Sequence, residues 1–295
     1  MTDIAATLAD IGPRWHLDIR AHSQQVKDAY EPILARAPRG DLTVFRDIAY
    51  GPHGRQVLDV FAPAAALAGA PVVAYVHGGA FLRGDKRTTD QIYDNVLFWF
   101  ARQGFVGVNV EYRHAPQATY PGGAEDVAAA MAWVQQRIAG FGGDPARVLL
   151  IGHSAGGTHA ATYAFDPAVA AVPPQIAALA LVSARLRADR LAANPNAAGV
   201  AAYFGADASS DDARSPVSHA ARHPELPVMI AVAEFENPLL DVYGIEFAQR
   251  RAAALGRAPR FVQMPGHNHM SIVAHFNSGE ETLGREILDF FSRVG

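Results

Sequence analysis

The sequence contains no cysteine. Disulfides, thiolate metal sites and cysteine nucleophiles are thereby excluded. No apolar run approaches the roughly 20 residues that cross a bilayer. No cluster of Lys and Arg occurs that would track a phosphate backbone. Charged residues are sparse, at 18%, and the formal net charge is only −4. Neither a membrane nor a nucleic acid is therefore expected as a partner. At the N-terminus Asp3 and Asp10 break up any apolar stretch, so a secretory leader is not expected either, and a cytoplasmic protein is the simplest expectation. What remains is a chain of 295 residues, 50% of them hydrophobic. That is enough to bury one large core, and a single domain over residues 1–295 is expected.

No internal repeat stands out, and residues 64–70, rich in Ala, read as a loop. Eight short segments read as strands: 42–50, 56–62, 72–76, 105–111, 147–152, 176–183, 228–233 and 260–264. The first two flank Gly51-Pro52-His53-Gly54, a turn signal that lets them pair antiparallel. The others are continuous runs rich in Val, Ile and Leu, which suits parallel strands covered on both faces. Helical spacing of apolar residues marks 90–103, 125–138, 239–255 and 280–291. The alternation predicts an α/β fold with a mostly parallel eight-stranded sheet. Residues 1–39, read as helical, and residues 185–225 fall outside it. Both are expected to form a small helical cap over the carboxyl edge of the sheet, where such folds bind ligands.

Gly152-His153-Ser154-Ala155-Gly156 is a G-x-S-x-G sequence between an apolar strand and a helical segment. A tight strand–elbow–helix turn needs small flanking residues and lifts the Ser154 hydroxyl clear as a nucleophile. The competing reading is a Gly-rich turn with an idle serine. His77-Gly78-Gly79-Ala80-Phe81 follows another strand. Its glycines would let backbone N–H groups approach a substrate carbonyl. Gly78, Gly79 and Ala80, completed by Ala155, are the expected oxyanion donors. His77 is expected to hold this loop by a hydrogen bond.

These two motifs, with Tyr112-Arg113-His114-Ala115-Pro116 and Phe141-Gly142-Gly143-Asp144-Pro145 in order between them, resemble the hormone-sensitive-lipase-like and kynurenine-formamidase-like esterases. The resemblance runs from about residue 40 to the C-terminus. It implies an α/β-hydrolase fold and a cofactor-free acyl hydrolase with a capped site. Two positions depart from the lipase-like branch: Ala80 replaces its third glycine and His153 its usual Asp. Both lean towards the formamidase-like and small-esterase side.

A serine needs a base, and the base needs an orienting carboxylate, in the chain order Ser, acid, His. Pro265-Gly266-His267-Asn268-His269 follows the last strand, and on the residues alone His267 and His269 both fit. The resemblance selects His269, through a Gly-x-x-His pattern before the last helix. A metal site on this His-x-His pair is not expected, since no acidic residue is near in sequence. For the acid, Glu234, Glu236 and Asp241 follow the strand 228–233. The spacing to Pro238 and Glu246-Phe247 matches the formamidase-like pattern from Glu236. A rival alignment puts the uncharged Asn237 there instead. Phe81, His153, Phe235 and Met270 adjoin these motifs and are the candidates to line the substrate pocket, with plain core packing as the alternative. Asp126, Asp144, Tyr112 and Arg113 read as structural. The expected function is hydrolysis of small or short-acyl carboxylic esters by Ser154, His269 and Glu236, with no metal or organic cofactor. An aryl formamidase and a non-catalytic small-molecule receptor are the rivals. Self-association as a homodimer is the one protein partner kept in view.

Overall fold

The computed structural model describes residues 4–64, 69–169 and 174–294. Most of the loop expected at 64–70 lies outside the described residues. Eight strands form one sheet: β1 Leu42–Ala49, β2 Val57–Pro63, β3 Ala70–Val76, β4 Val106–Val110, β5 Gly143–His153, β6 Ala178–Val182, β7 Val228–Phe235 and β8 Arg260–Asn268. Their order is β1-β2-β4-β3-β5-β6-β7-β8. β1 pairs antiparallel with β2, and β2 with β4; every later pair is parallel. Ten α-helices are described: α1 Ile4–Ile11, α2 Ile19–Leu34, α3 Asp94–Arg102, α4 Gly122–Arg137, α5 Ala155–Phe165, α6 Ala197–Phe204, α7 Asp211–Arg214, α8 Leu240–Leu255, α9 Ser271–Ala274 and α10 Thr282–Ser292.

Side chains alternate across a strand, so a buried central strand feeds two cores. On β3, Val72, Ala74 and Val76 pack with Val127 and Met131 of α4 and Phe165 of α5. Val73 and Tyr75 point the other way, into a core with Trp15, Val26 of α2, Trp99 of α3 and Ile287 of α10. The N-terminal helices are thus built into one of the two cores.

Four strands, β3, β5, β7 and β8, run longer than the apolar pattern suggests, β5 and β8 by the most. β5 starts at Gly143 rather than near Arg147, because Ala70 of β3 pairs back to Gly143. β8 runs on to Asn268 after a register irregularity, with Phe235 opposite Asn268. That extension brings the ends of β7 and β8 together, and the residues that follow them become neighbours. All the parallel strands end at one edge, so the loops after β3, β5, β6, β7 and β8 converge there.

Candidate active site

Ser154 sits between β5 and α5 with φ 55° and ψ −121°. A non-glycine residue with positive φ stores roughly 1–3 kcal/mol and persists only where its surroundings hold it. The flanking glycines show what does so. A Cβ on Gly156 would lie 2.2 Å from the Val76 carbonyl oxygen, and one on Gly152 would lie 2.6 Å from Gly157 Cα. The elbow is pressed against the end of β3, which is where Gly78, Gly79 and Ala80 begin.

His269, just past β8, places Nε2 3.0 Å from Ser154 Oγ. Its Nδ1 donates to Glu236 Oε2 at 2.7 Å. This tautomer leaves Nε2 as the acceptor for the serine proton. Glu236 is held from several sides. Its Oε1 accepts from Ala233 N at 2.9 Å and from the Ser183 hydroxyl, and its Oε2 accepts from Asn237 N at 3.2 Å. The Glu236 side chain is 3% exposed and that of His269 10%. Such enclosure keeps water from competing for these hydrogen bonds. His269 N also donates to the Phe235 carbonyl at 3.2 Å, which ties the two loops together.

The loop after β3 is fixed from below. His77 Nδ1 lies 2.7 Å from the Gly78 carbonyl oxygen and Nε2 3.0 Å from Glu111 Oε1. The Tyr112 hydroxyl donates to the His77 carbonyl at 2.8 Å. Burial works to raise the Glu111 pKa, but His77, Arg55 and the Lys86 N–H outweigh it and hold it down at about 2. His77, Glu111 and His114 bring three ligand atoms within 4.8 Å, the one such group among the described residues. Arg55 sits among them, with Nη2 on Glu111 Oε1 and 3.0 Å from His114 Nε2. A guanidinium already supplies the positive charge that a metal ion would bring.

A cleft of about 810 Å³ opens above Ser154. Gly78, Gly79, Ala80, His153, Ser154, His269 and Met270 all line it. Trp15, on the segment before α2, is a further wall residue, and its Nε1 donates to Asn237 Oδ1 at 2.9 Å. Two of the expected pocket residues lie elsewhere. Phe81 has φ 70°, is 1% exposed and stacks on Tyr203 of α6 at 4.8 Å between ring centroids. The backbone reversal turns it away from the cleft and into an aromatic cluster with Phe204. Phe235 packs edge-on over Gly12 and lines a separate hollow with Pro13 and Asp241. His153 lines the cleft but is 2% exposed, and its Nε2 donates to the His269 carbonyl at 3.0 Å. Burial, helped by the charge of nearby His269, holds its pKa well below the ordinary histidine value. It therefore braces the His269 loop as a neutral ring. His267, the other histidine of the pair, faces Glu280 and Ser271 instead of Ser154. Glu234 accepts from Gly266 N at 2.6 Å, and Asp126 pairs with Arg113. Both of those are structural contacts.

The fold has close counterparts among solved structures. Esterase B from Lactobacillus rhamnosis superposes with TM-score 0.76 at 21% identity, covering 98% of this chain and 95% of that one. A bacterial heroin esterase gives 0.70 at 23%, covering 98% and 96%. The chain has the α/β-hydrolase fold. Within this fold, residues 58–181 match the family BD-FAE. A probable carboxylic ester hydrolase, LipM, of Mycobacterium tuberculosis is 39% identical over 124 residues, which is 41% of this chain and 28% of that protein. A probable isoprenylcysteine alpha-carbonyl methylesterase of Oryza sativa subsp. japonica is 36% identical over 113 residues, covering 38% and 26%. The matched stretch spans less than a third of these curated relatives. The family match carries the oxyanion-type loop and Ser154 and stops short of Ser183, Glu236 and His269. The second half of the site therefore rests on the geometry above.

Proposed function

We propose that this α/β-hydrolase cleaves small or short-acyl carboxylic esters through an acyl-enzyme on Ser154. The observation that carries the reading is the unbroken hydrogen-bonded line from Ser154 Oγ through His269 to Glu236. The names of the two relatives, a probable carboxylic ester hydrolase and a probable methylesterase, support the same chemistry. Ser154 Oγ attacks the ester carbonyl while His269 Nε2 takes its proton. Glu236 fixes the imidazole and offsets the charge it gains. N–H groups of Gly79, Ala80 and Ala155, with Gly78 shaping the loop, meet the oxyanion; each good donor is worth about 2.7–4 kcal/mol of barrier. His269 passes the proton to the leaving alcohol. A water molecule, deprotonated by the same imidazole, then releases the carboxylic acid and restores Ser154. Every step runs through side chains and backbone of this chain. Residues 1–39 and 185–225 act as the cap, a reading supported by Trp15, Pro195 and Asn196 in the cleft wall.

The test is hydrolysis of 4-nitrophenyl acetate, butyrate and octanoate by wild type and Ser154→Ala. Turnover of the shorter acyls that vanishes in the variant is the expected result. Activity that survives Ser154→Ala would sink the mechanism. An enzyme inert to esters that cleaves N-formyl aromatic amines would move the assignment to an amidase.

A further inference from the structure

One side of the cleft is made by α2. Its inward face, His22, Val26, Ala29 and Tyr30, is buried in the core. Arg20, Ser23, Gln24 and Lys27 lie on another stripe, three and four residues apart, and all four line the cleft. Arg83, just beyond the loop after β3, lines it as well and is tied back through its N–H to the Gly79 carbonyl at 3.1 Å. Three cations thus face a cleft whose wall holds one carboxylate among the described residues. That carboxylate, Asp18, is occupied in capping α2 at Ala21 N.

None of these three cations pairs with a carboxylate among the described residues, whereas Arg46, Arg55, Arg113, Arg187 and Arg190 all do. Lys27 is half-buried. Burial lowers its pKa first of all, and Arg83 lowers it further against the opposing pull of Asp28. Asp28 is itself exposed and accepts from Gln24 Nε2 at 2.8 Å. Two like charges lining one cleft, one of them partly desolvated, are in want of an anion. A bound carboxylate would relieve both costs, and a charge-assisted contact there is stronger than a neutral one.

We propose that the cleft takes anionic esters, in which the acyl or the alcohol part carries a carboxylate received by Lys27 and Arg83, with Arg20 at the outer rim. This rests on the ester-hydrolase reading and adds the substrate class. The remainder of the wall, with Trp15, Ile19 and Met270, suits a compact apolar body between the ester and the anion. A cleft of this size holds one small molecule.

Two matched pairs place the charge on either side of the ester. They are 3-acetoxybenzoate against phenyl acetate, and mono-4-nitrophenyl adipate against 4-nitrophenyl hexanoate. In at least one pair the charged ester is expected to have the higher kcat/KM by about tenfold, mainly through KM. Lys27→Gln and Arg83→Gln should each collapse that ratio, and so should roughly 0.5 M salt. A second measurement needs no turnover. Calorimetry on Ser154→Ala should find 3-acetamidobenzoate bound more tightly than acetanilide, with the difference lost in Ser154→Ala/Lys27→Gln. Preference for the neutral member in both pairs, or a ratio that neither substitution moves, overturns the proposal. Where the benzoate pair is the one preferred, equal binding of the two amides does the same. Hydrolysis of neutral esters without charge preference would remove the anion site and leave the esterase. Selective binding without any hydrolysis would keep the anion site and remove the esterase.

Discussion

Two Glu–His pairs lie close together at the same edge of the sheet and do different things. Glu236 and His269 meet at 2.7 Å, and Glu111 and His77 at 3.0 Å. The contrast is in the second ring nitrogen. That of His269 faces a hydroxyl, Ser154 Oγ, which can give up a proton. That of His77 faces the Gly78 carbonyl, which has none to give. His269 lines the cleft, whereas His77 is fully buried beneath it. A carboxylate–imidazole pair is therefore not a catalytic signature by itself. In the proposed mechanism one pair moves a proton, and the other pins the loop expected to receive the oxyanion.

The same substitutions applied to both pairs should separate these roles. Ser154→Ala is expected to have the largest effect, a loss of about 10⁶ in kcat, since the His269 pair then has no partner to activate. Glu236→Gln should cost about 10⁴ in kcat, because a neutral amide cannot offset the imidazolium; KM and thermal midpoint should hardly move. Glu111→Gln should behave in the opposite manner. Breaking a buried pair that Arg55 also shares should cost about 3 kcal/mol of stability, read as a lower denaturant midpoint. Equal kinetic losses in the two Gln variants would erase the distinction.

Stability should also fall in acid, with a sign that the buried groups fix. His159, among Phe81, Tyr112 and Tyr203, has no hydrogen-bond partner among the described residues for either ring nitrogen. Burial first, then the charges of His77 and His114, lower its pKa from 6.5 to about 3. Burial and Arg55 likewise lower that of His114 to about 4. The unfolded chain then binds protons that the folded one does not, so stability is lost as pH falls below 6.5, by about 1.4 kcal/mol per pH unit for each such histidine. Glu111 adds to this lower down: its contribution is full above its ordinary 4.5 and is lost as pH falls towards 2. Urea midpoints between pH 7 and 4 should slope accordingly, and His159→Phe should reduce the slope by one proton. The smallest change is expected from Ser183→Ala. It removes one donor to Glu236 and should lower kcat about tenfold, with Ser183→Thr recovering most of it.

The parts of the site that were legible in the sequence are those where backbone geometry dictates residue type. The elbow admits only glycine at 152 and 156, and the loop after β3 needs its glycines, so Ser154 and Gly78–Gly79 announce themselves. Chain order left His267 and His269, and Glu234, Glu236 and Asp241, all open; the family resemblance selected His269 and Glu236 among them. Ser183 and the Trp15–Asn237 bond could not be found this way. They join segments distant in the chain, and nothing local marks a serine at the end of β6 as a carboxylate's partner. Phe81 was misplaced for a related reason. Its position beside the loop says nothing of direction, and a positive φ sends the ring under α6. The strand alternation foretold the sheet because buried parallel strands must be apolar. It missed the last residues of β8, where Gly266-His267-Asn268 carries no apolar pattern although Asn268 lies opposite Phe235 of β7.

The most direct test of the central claim is intact-mass analysis after treatment with a fluorophosphonate. Wild type should gain a single adduct, mapped to the peptide containing Ser154. Ser154→Ala should gain none, and Glu236→Gln should react far more slowly. An adduct that persists in Ser154→Ala, or a wild type that never reacts, would contradict the assignment of Ser154 as the nucleophile.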